Sequence, residues 1–188
     1  FRSGYPESIG GWQRVSNNQF IGTARKIYDF VTLTSQNLLF IGTEKKTFLE
    51  NAGTFSDITP IRSTLSLGSN PVNTSGGAGS GVITVTTQTA HGAATGDFVT
   101  FASLTTTDGI TAAQLNIEHE ITSIPSTTTF TVTTAGAATS GTTAGGGSSG
   151  TAAFQISTGL NTTVLGSGWG AGTWGRFTWG SSSGSLAG

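Results

Sequence analysis

The sequence predicts an all-β chain, and three observations carry that reading. Thr is the commonest polar residue, at 35 of 188 positions, and its β-branched side chain sits better on a pleated strand than in a helix. Short runs alternate apolar with polar residues, the two-residue period of a strand. The chain's 29 glycines, many in stretches shared with Ser and Thr, punctuate those runs as turns and long loops. Helix signals are nearly absent. The one candidate, residues 23–30, fits alternation better than a 3.6-residue period.

Residues 1–13 read as turn-rich, with Gly4, Pro6, Gly10 and Gly11 ahead of Trp12. Ile27, Asp29, Val31 and Leu33 then alternate with Tyr28, Phe30 and Thr32, a pattern that suits a strand nearly buried on both faces. NLLFIG (37–42) makes a short apolar strand, residues 43–46 a polar turn, and residues 47–49 the next strand. A turn at 51–53 leads to TFSDI (54–58), which Pro60 closes, and these short strands form a meander. Asp57 is placed to bond the backbone that follows it, while Pro60 has no N–H to pair.

Residues 68–81 (GSNPVNTSGGAGSG) have the composition of a linker. A new β unit begins at VITVT (82–86). His91-Gly92 and Gly96-Asp97 mark turns: the glycines permit a tight crossing and Asp97 can bond turn backbone. FVTF (98–101) is a strand that sends Val99 or Phe101 inward, and Asp108-Gly109 signals another turn. Residues 116–123 set Ile117, His119 and Ile121 against Glu118, Glu120 and Thr122, as in a half-buried antiparallel strand. Phe130 and Val132 face inward on the next strand, residues 135–151 form a second Gly/Ser/Thr stretch, and Phe154 and Ile156 begin the last strand. Strands at this spacing predict a small sandwich or barrel.

Charge is unevenly placed. Residues 1–62 hold seven of the eight basic residues and five of the nine acidic ones, whereas residues 63–188 set Arg176 against Asp97, Asp108, Glu118 and Glu120. That shift points to two modules. A net charge of -1 is too balanced to predict affinity for nucleic acid or membrane by bulk electrostatics. No run approaches the ~20 apolar residues of a membrane helix. The absence of Cys excludes disulfides and thiolate sites. The sequence opens at Phe1 and contains no Met, so it reads as processed or as a portion of something longer.

Catalytic groups are scarce. His91 and His119 lie on different elements without further ligands at metal spacing; His91 reads as a turn residue bonding nearby backbone or Asp97, and His119 as a core residue. Glu118 and Glu120 share a strand face and read as a solvated one, not as the two carboxylates of a glycosidase cleft. Gly170, Gly172 and Gly175 match GxGxxG without a βαβ context. The basic doublets Arg25-Lys26 and Lys45-Lys46 are candidate DNA or interface contacts. Trp169, Trp174 and Trp179, at five-residue spacing in a Gly-rich tail, and Trp12 are interface candidates.

Two stretches resemble phage virion proteins. IGGWQRV (9–15), GTARKIYDF (22–30), LLFIGTEKKTFL (38–49) and GTFSDITPI (53–61) are similar, in that order, to the N-terminal part of large tail proteins of short-tailed phages, a propeller-like meander of GT-x-K-K-x-F/Y hairpins with a D-I-T-P corner. VITVTTQTAHGAATGDFVTFASL (82–104) and EITSIPSTTTFTVTT (120–134) resemble a small β-barrel module recurrent in phage tail proteins, which WGAGTWG (169–175) follows in similar proteins. The module's Asn-Gly-x-(F/Y) hairpin is replaced here by Leu115-Asn116-Ile117-Glu118. The resemblance implies a propeller-like host domain, incomplete, from residues 1–69 and 158–188, with a small β-barrel, residues 70–157, inserted in it. It further implies a structural virion protein of the phage tail: a subunit of a nozzle ring, hexameric, forming a channel for genome retention and ejection. Its partners would be copies of itself, other tail proteins, phage DNA in transit and the host surface. No cofactor, small-molecule substrate or enzymatic activity is expected. The alternative is a receptor- or glycan-binding tail adhesin that stacks sugars on Trp169, Trp174 and Trp179.

Overall fold

The computed structural model describes residues 17–141 and 144–156. They form an all-β structure of two antiparallel sheets. The first is a meander of β1 (Ala24–Val31), β2 (Asn37–Thr43), β3 (Thr47–Asn51) and β4 (Thr54–Asp57), hydrogen-bonded in chain order. Tight polar turns make this possible: each strand returns beside its predecessor, as the spacing of the apolar runs predicts.

The second sheet holds β5 (Ile61–Gly68), β6 (Val72–Asn73), β7 (Val82–Thr86), β8 (Phe98–Ala102), β9 (Glu118–Ser126), β10 (Thr129–Thr133), β11 (Ala144–Gly145) and β12 (Gly150–Gln155). Its spatial order is β11-β6-β7-β10-β9-β8-β12-β5. One short helix, α1 (Ala112–Leu115), lies between β8 and β9.

Four expectations need correction. The second sheet is not a closed barrel. β5 and β6 are consecutive, but Gly68 and Asn70 at positive φ and Pro71, which lacks an N–H, break the ladder between them. The bond from Thr86 N to Pro71 O (2.9 Å) only continues the β6–β7 pair, and the bond from Gln88 N to Ser66 O (3.4 Å) links the chain after β7 to β5 without completing a ladder. The sheet is curled and open. Its concave side holds one core, in which Val72, Ile83, Val85, Val99, Ile121, Phe130, Val132 and Phe154 are fully buried.

The second correction concerns residues 68–81, which are no linker: Val72 and Thr74 are fully buried, and β6 pairs with β7 and β11. Third, Ile117 is exposed at the end of α1, although His119 and Ile121 beyond it do point inward. Fourth, β1 is not buried on either face. All eight of its residues are exposed, because it is an edge strand that nothing among the described residues covers. The meander's buried apolar residues are Ile41 and Phe48, with the Phe20 ring tilted against Phe48 and edge-on to Phe55. β5, within residues assigned to the host sheet on sequence, hydrogen-bonds along β12 in the second sheet.

Candidate functional site

The two sheets meet at a charged junction, and the β2–β3 turn builds it. Thr43 is buried, and its Oγ1 accepts from the backbone N–H groups of Lys45 (3.2 Å) and Lys46 (2.8 Å). Thr43 N–H donates to Lys46 O at 2.8 Å, closing the turn. This lock aims Lys46 away from solvent, leaving it 2% exposed. Its Nζ donates to Asp57 Oδ2 on β4 at 2.6 Å and to Glu118 Oε1 on β9 in a very short bond. The ring of Phe98, on β8, lies 4.4 Å from the ammonium. One cation therefore carries a carboxylate from each sheet and a ring face, which together replace the water it loses.

Neighbouring groups complete the set. Gln155 Nε2 donates to Glu118 Oε2 at 2.6 Å, and Lys45 Nζ donates to Glu120 Oε1 at 2.8 Å. Two cations thus meet three carboxylates, of which Glu118 and Glu120 lie across the sheet boundary. Burial pushes the Asp57 carboxyl up, but hydrogen bonds from Lys46 and Thr59 and the ammonium charge outweigh it and hold the group below its ordinary value. Asp57 Oδ1 also accepts from Thr59 N at 2.9 Å, so the carboxylate that anchors Lys46 shapes the corner at Pro60 as well. The Gln155 Oε1 atom is buried with no partner.

The structure separates the two basic doublets. Lys45 and Lys46 sit in the junction, and burial leaves Lys46 no access to a DNA phosphate. Arg25 and Lys26 open the exposed strand β1, with Arg25 Nε 3.7 Å from Glu44 Oε2. Glu118 and Glu120 both pair with these lysines; Glu118 is partly buried, while Glu120 stays on the solvated face. Trp12, Trp169, Trp174, Trp179 and the glycines 170, 172 and 175 lie outside the described residues.

The predicted turn residues gather at one end of the curled sheet. His91 is buried, with Nδ1 accepting from Ala93 N (3.0 Å) and Nε2 therefore protonated toward Ser126 O (3.2 Å). Its ring stacks on Phe154 and meets Phe130 edge-on. Gly92 and Gly96 both take positive φ, and Asp97 Oδ2 accepts from Ala94 N at 2.9 Å between them. Arg62, which sequence reasoning left unassigned, donates to the carbonyls of His91 and Gly92 and lies over the Phe154 ring. His119 is buried beside Phe101, its Nε2 3.1 Å from Leu115 O.

A second carboxylate was also missed. Asp108, at φ +48°, accepts from Thr139 Oγ1, Ser140 N and Ser140 Oγ on one oxygen and from Thr74 Oγ1 and Gly141 N on the other. These bonds, led by the Ser140 hydroxyl and opposed by desolvation, hold it far below the usual carboxylate range. Its signal in the sequence is the Asp-Gly pair, which reports a turn and not the distant loop it binds. Among the described residues, no group of three or more His, Asp or Glu side chains could hold a metal ion.

No protein-family model matches the chain, and no curated protein matches it. Among solved structures it is similar to a phage phi92 endosialidase, with 20% identity and a TM-score of 0.39 over 72% of this chain and 20% of that one. The chain spans only that fifth of the endosialidase's length.

Proposed function

We propose that this chain is a structural component of a phage tail, one subunit of a nozzle ring whose copies enclose the channel that retains and then conducts the genome. The observation that carries this reading is β1: eight consecutive exposed residues at the open edge of a sheet, with Ile27 and Val31 on one face and Tyr28 and Phe30 on the other. An uncovered apolar edge of that length is a template for pairing, which lone soluble proteins blunt or cover. The resemblance of residues 9–61 and 82–134 to tail-protein sequences supports the same setting. So does the low charge, because extensive contact between subunits would otherwise bury unpaired ions.

In this reading residues 61–156 are the inserted unit, moved from the 70–157 that the sequence suggests. Ile156 N–H donates to Pro60 O at 3.0 Å, so the chain enters and leaves the curled sheet at one place. Inserted units characteristically have such adjacent ends. Lys46 fixes that unit to its host. The function is mechanical, and the chemistry of the junction serves orientation.

Electron cryo-microscopy of the virion containing this chain tests the proposal. The expected result is the curled eight-stranded unit repeated around an axial channel at the distal end of the tail. Its appearance on a lateral fibre, or its absence from the particle, overturns the nozzle assignment. A saturable change in tryptophan fluorescence with host polysaccharide, abolished by Trp174→Ala, assigns the chain to the adhesin class instead.

A further inference from the structure

We infer that copies join by strand addition, β1 of one copy extending the β4 edge of the next, so that the four-stranded meanders form one continuous sheet around the ring. The inference rests on the ring reading above and names its contact. Among the described residues β1 and β4 are the two edges of the meander, and they run antiparallel to each other. A neighbour in the same orientation therefore continues the antiparallel pattern. A two-fold contact of β1 with β1 would close in pairs and leave every β4 edge open.

The backbone phase agrees. Thr32 N–H donates to Gln36 O, so in β1 the even-numbered residues bond toward β2, and Ile27, Asp29 and Val31 present their N–H and C=O groups outward. Ile58 N–H donates to Thr47 O, so in β4 the outward groups belong to Phe55 and Asp57. Ile27 and Phe55 also lie on the same face of the meander, by the cross-strand pairs Ile27–Ile41, Ile41–Phe48, Phe48–Asp57 and Glu50–Phe55.

Setting Ile27 opposite Phe55 of the next copy places Arg25, the extra residue of a bulge, opposite Asp57, and Tyr28 opposite Thr54. Apolar meets apolar, the basic start of β1 meets a carboxylate already shared with Lys46, and Asp29 falls beyond β4 at the β3–β4 turn. A shift of two residues in one direction puts Ile27 against Asp57 and Asp29 against Phe55. The opposite shift leaves Ile27 without a partner on β4. Side-chain complementarity selects the first register.

The chain has no Cys, so engineered thiols report the contact cleanly. Tyr28→Cys and Thr54→Cys occupy a non-hydrogen-bonded pair in this register, where Cα atoms about 4.5 Å apart admit a disulfide. Both positions are exposed, so neither change disturbs a core. The expected result, with the full chain under mild oxidation, is a ladder of covalent multimers from the double variant and covalent dimers from a mixture of the two single variants. Each single variant alone should stay uncrosslinked. Ile27→Glu should abolish the ladder while leaving the circular dichroism unchanged. Dimers from Tyr28→Cys alone overturn the inference in favour of a two-fold contact. Multi-copy assembly by sedimentation without any crosslink overturns the contact but leaves the ring reading standing. A chain that sediments as a monomer at all concentrations overturns both.

Discussion

Lys46 has neighbours in the sequence that are all polar, Thr43, Glu44 and Lys45, and such a turn normally lies in water. Its burial is decided by Glu118, which is 72 positions away, and by the ring of Phe98. No local pattern reports such a pairing. Asp57 and Asp97 were legible because they bond backbone two or three residues away. Losing one partner of a buried ion pair typically costs about 3–5 kcal/mol, and leaves the other charge stranded. Here the two carboxylates keep about a third of their surface in water (32% and 30%), so Lys46→Ala should cost less, about 2–3 kcal/mol in a urea titration. Lys46→Met combined with Glu118→Gln should cost less than the sum of the two single changes, which a double-mutant cycle measures. Acid should act through Asp57 and Asp108. Both carboxyls sit lower in the folded chain than in the unfolded one, so the stability they contribute is complete above about pH 4 and is lost as pH falls through the folded values. Urea midpoints measured from pH 5 to pH 2 should fall, and Asp108→Asn should flatten part of that fall.

At the scale of elements, the strands that alternate strictly were the legible ones. VITVT became β7, FVTF lies in β8, and Phe130 and Val132 point inward as their flanking threonines require. α1 escaped notice because it is a single turn, yet its start is written in Thr111-Ala112-Ala113-Gln114. Thr111 Oγ1 accepts from Gln114 N–H and Gln114 Oε1 accepts from Thr111 N–H, which is a capping box. Thr111→Ala should therefore cost about 1 kcal/mol, seen as a lower urea midpoint with an unchanged slope. β5 was missed behind Pro60, although Ile61, Ser63, Leu65 and Leu67 keep a period of two. Gly81, just ahead of β7, lies against the backbone that follows β10: an added Cβ would lie 2.4 Å from Thr134 O and 2.7 Å from Gly136 O, both backbone atoms. Gly81→Ala should destabilise the chain by about 1–3 kcal/mol, the usual range for overpacking, as read by thermal unfolding.

For the whole molecule, the all-β class followed from composition and period, while the way the sheet ends meet did not. Closure of a sheet depends on a few backbone angles at Gly68 and Asn70, and composition does not encode them. Nor could the sequence tell that β1 lies exposed at an edge among the described residues, because a strand's composition does not report what covers it. The two sheets also differ in how much core each owns. The curled sheet encloses a contiguous cluster of 14 buried residues, whereas the meander buries little apolar surface. Hydrogen exchange should therefore protect β7, β9 and β10 most and leave β1 of the isolated chain nearly unprotected, with protection of Ile27 appearing on assembly.

The bond between Pro60 and Ile156 has a mechanical consequence. Tension along a backbone follows the shortest connected route, and here that route crosses from residue 60 to residue 156 over adjoining ends of β5 and β12. A pull that parted residues 60 and 156 would open that seam one rung at a time, as a zipper opens, and would reach the oily interior by the second rung, at Phe154.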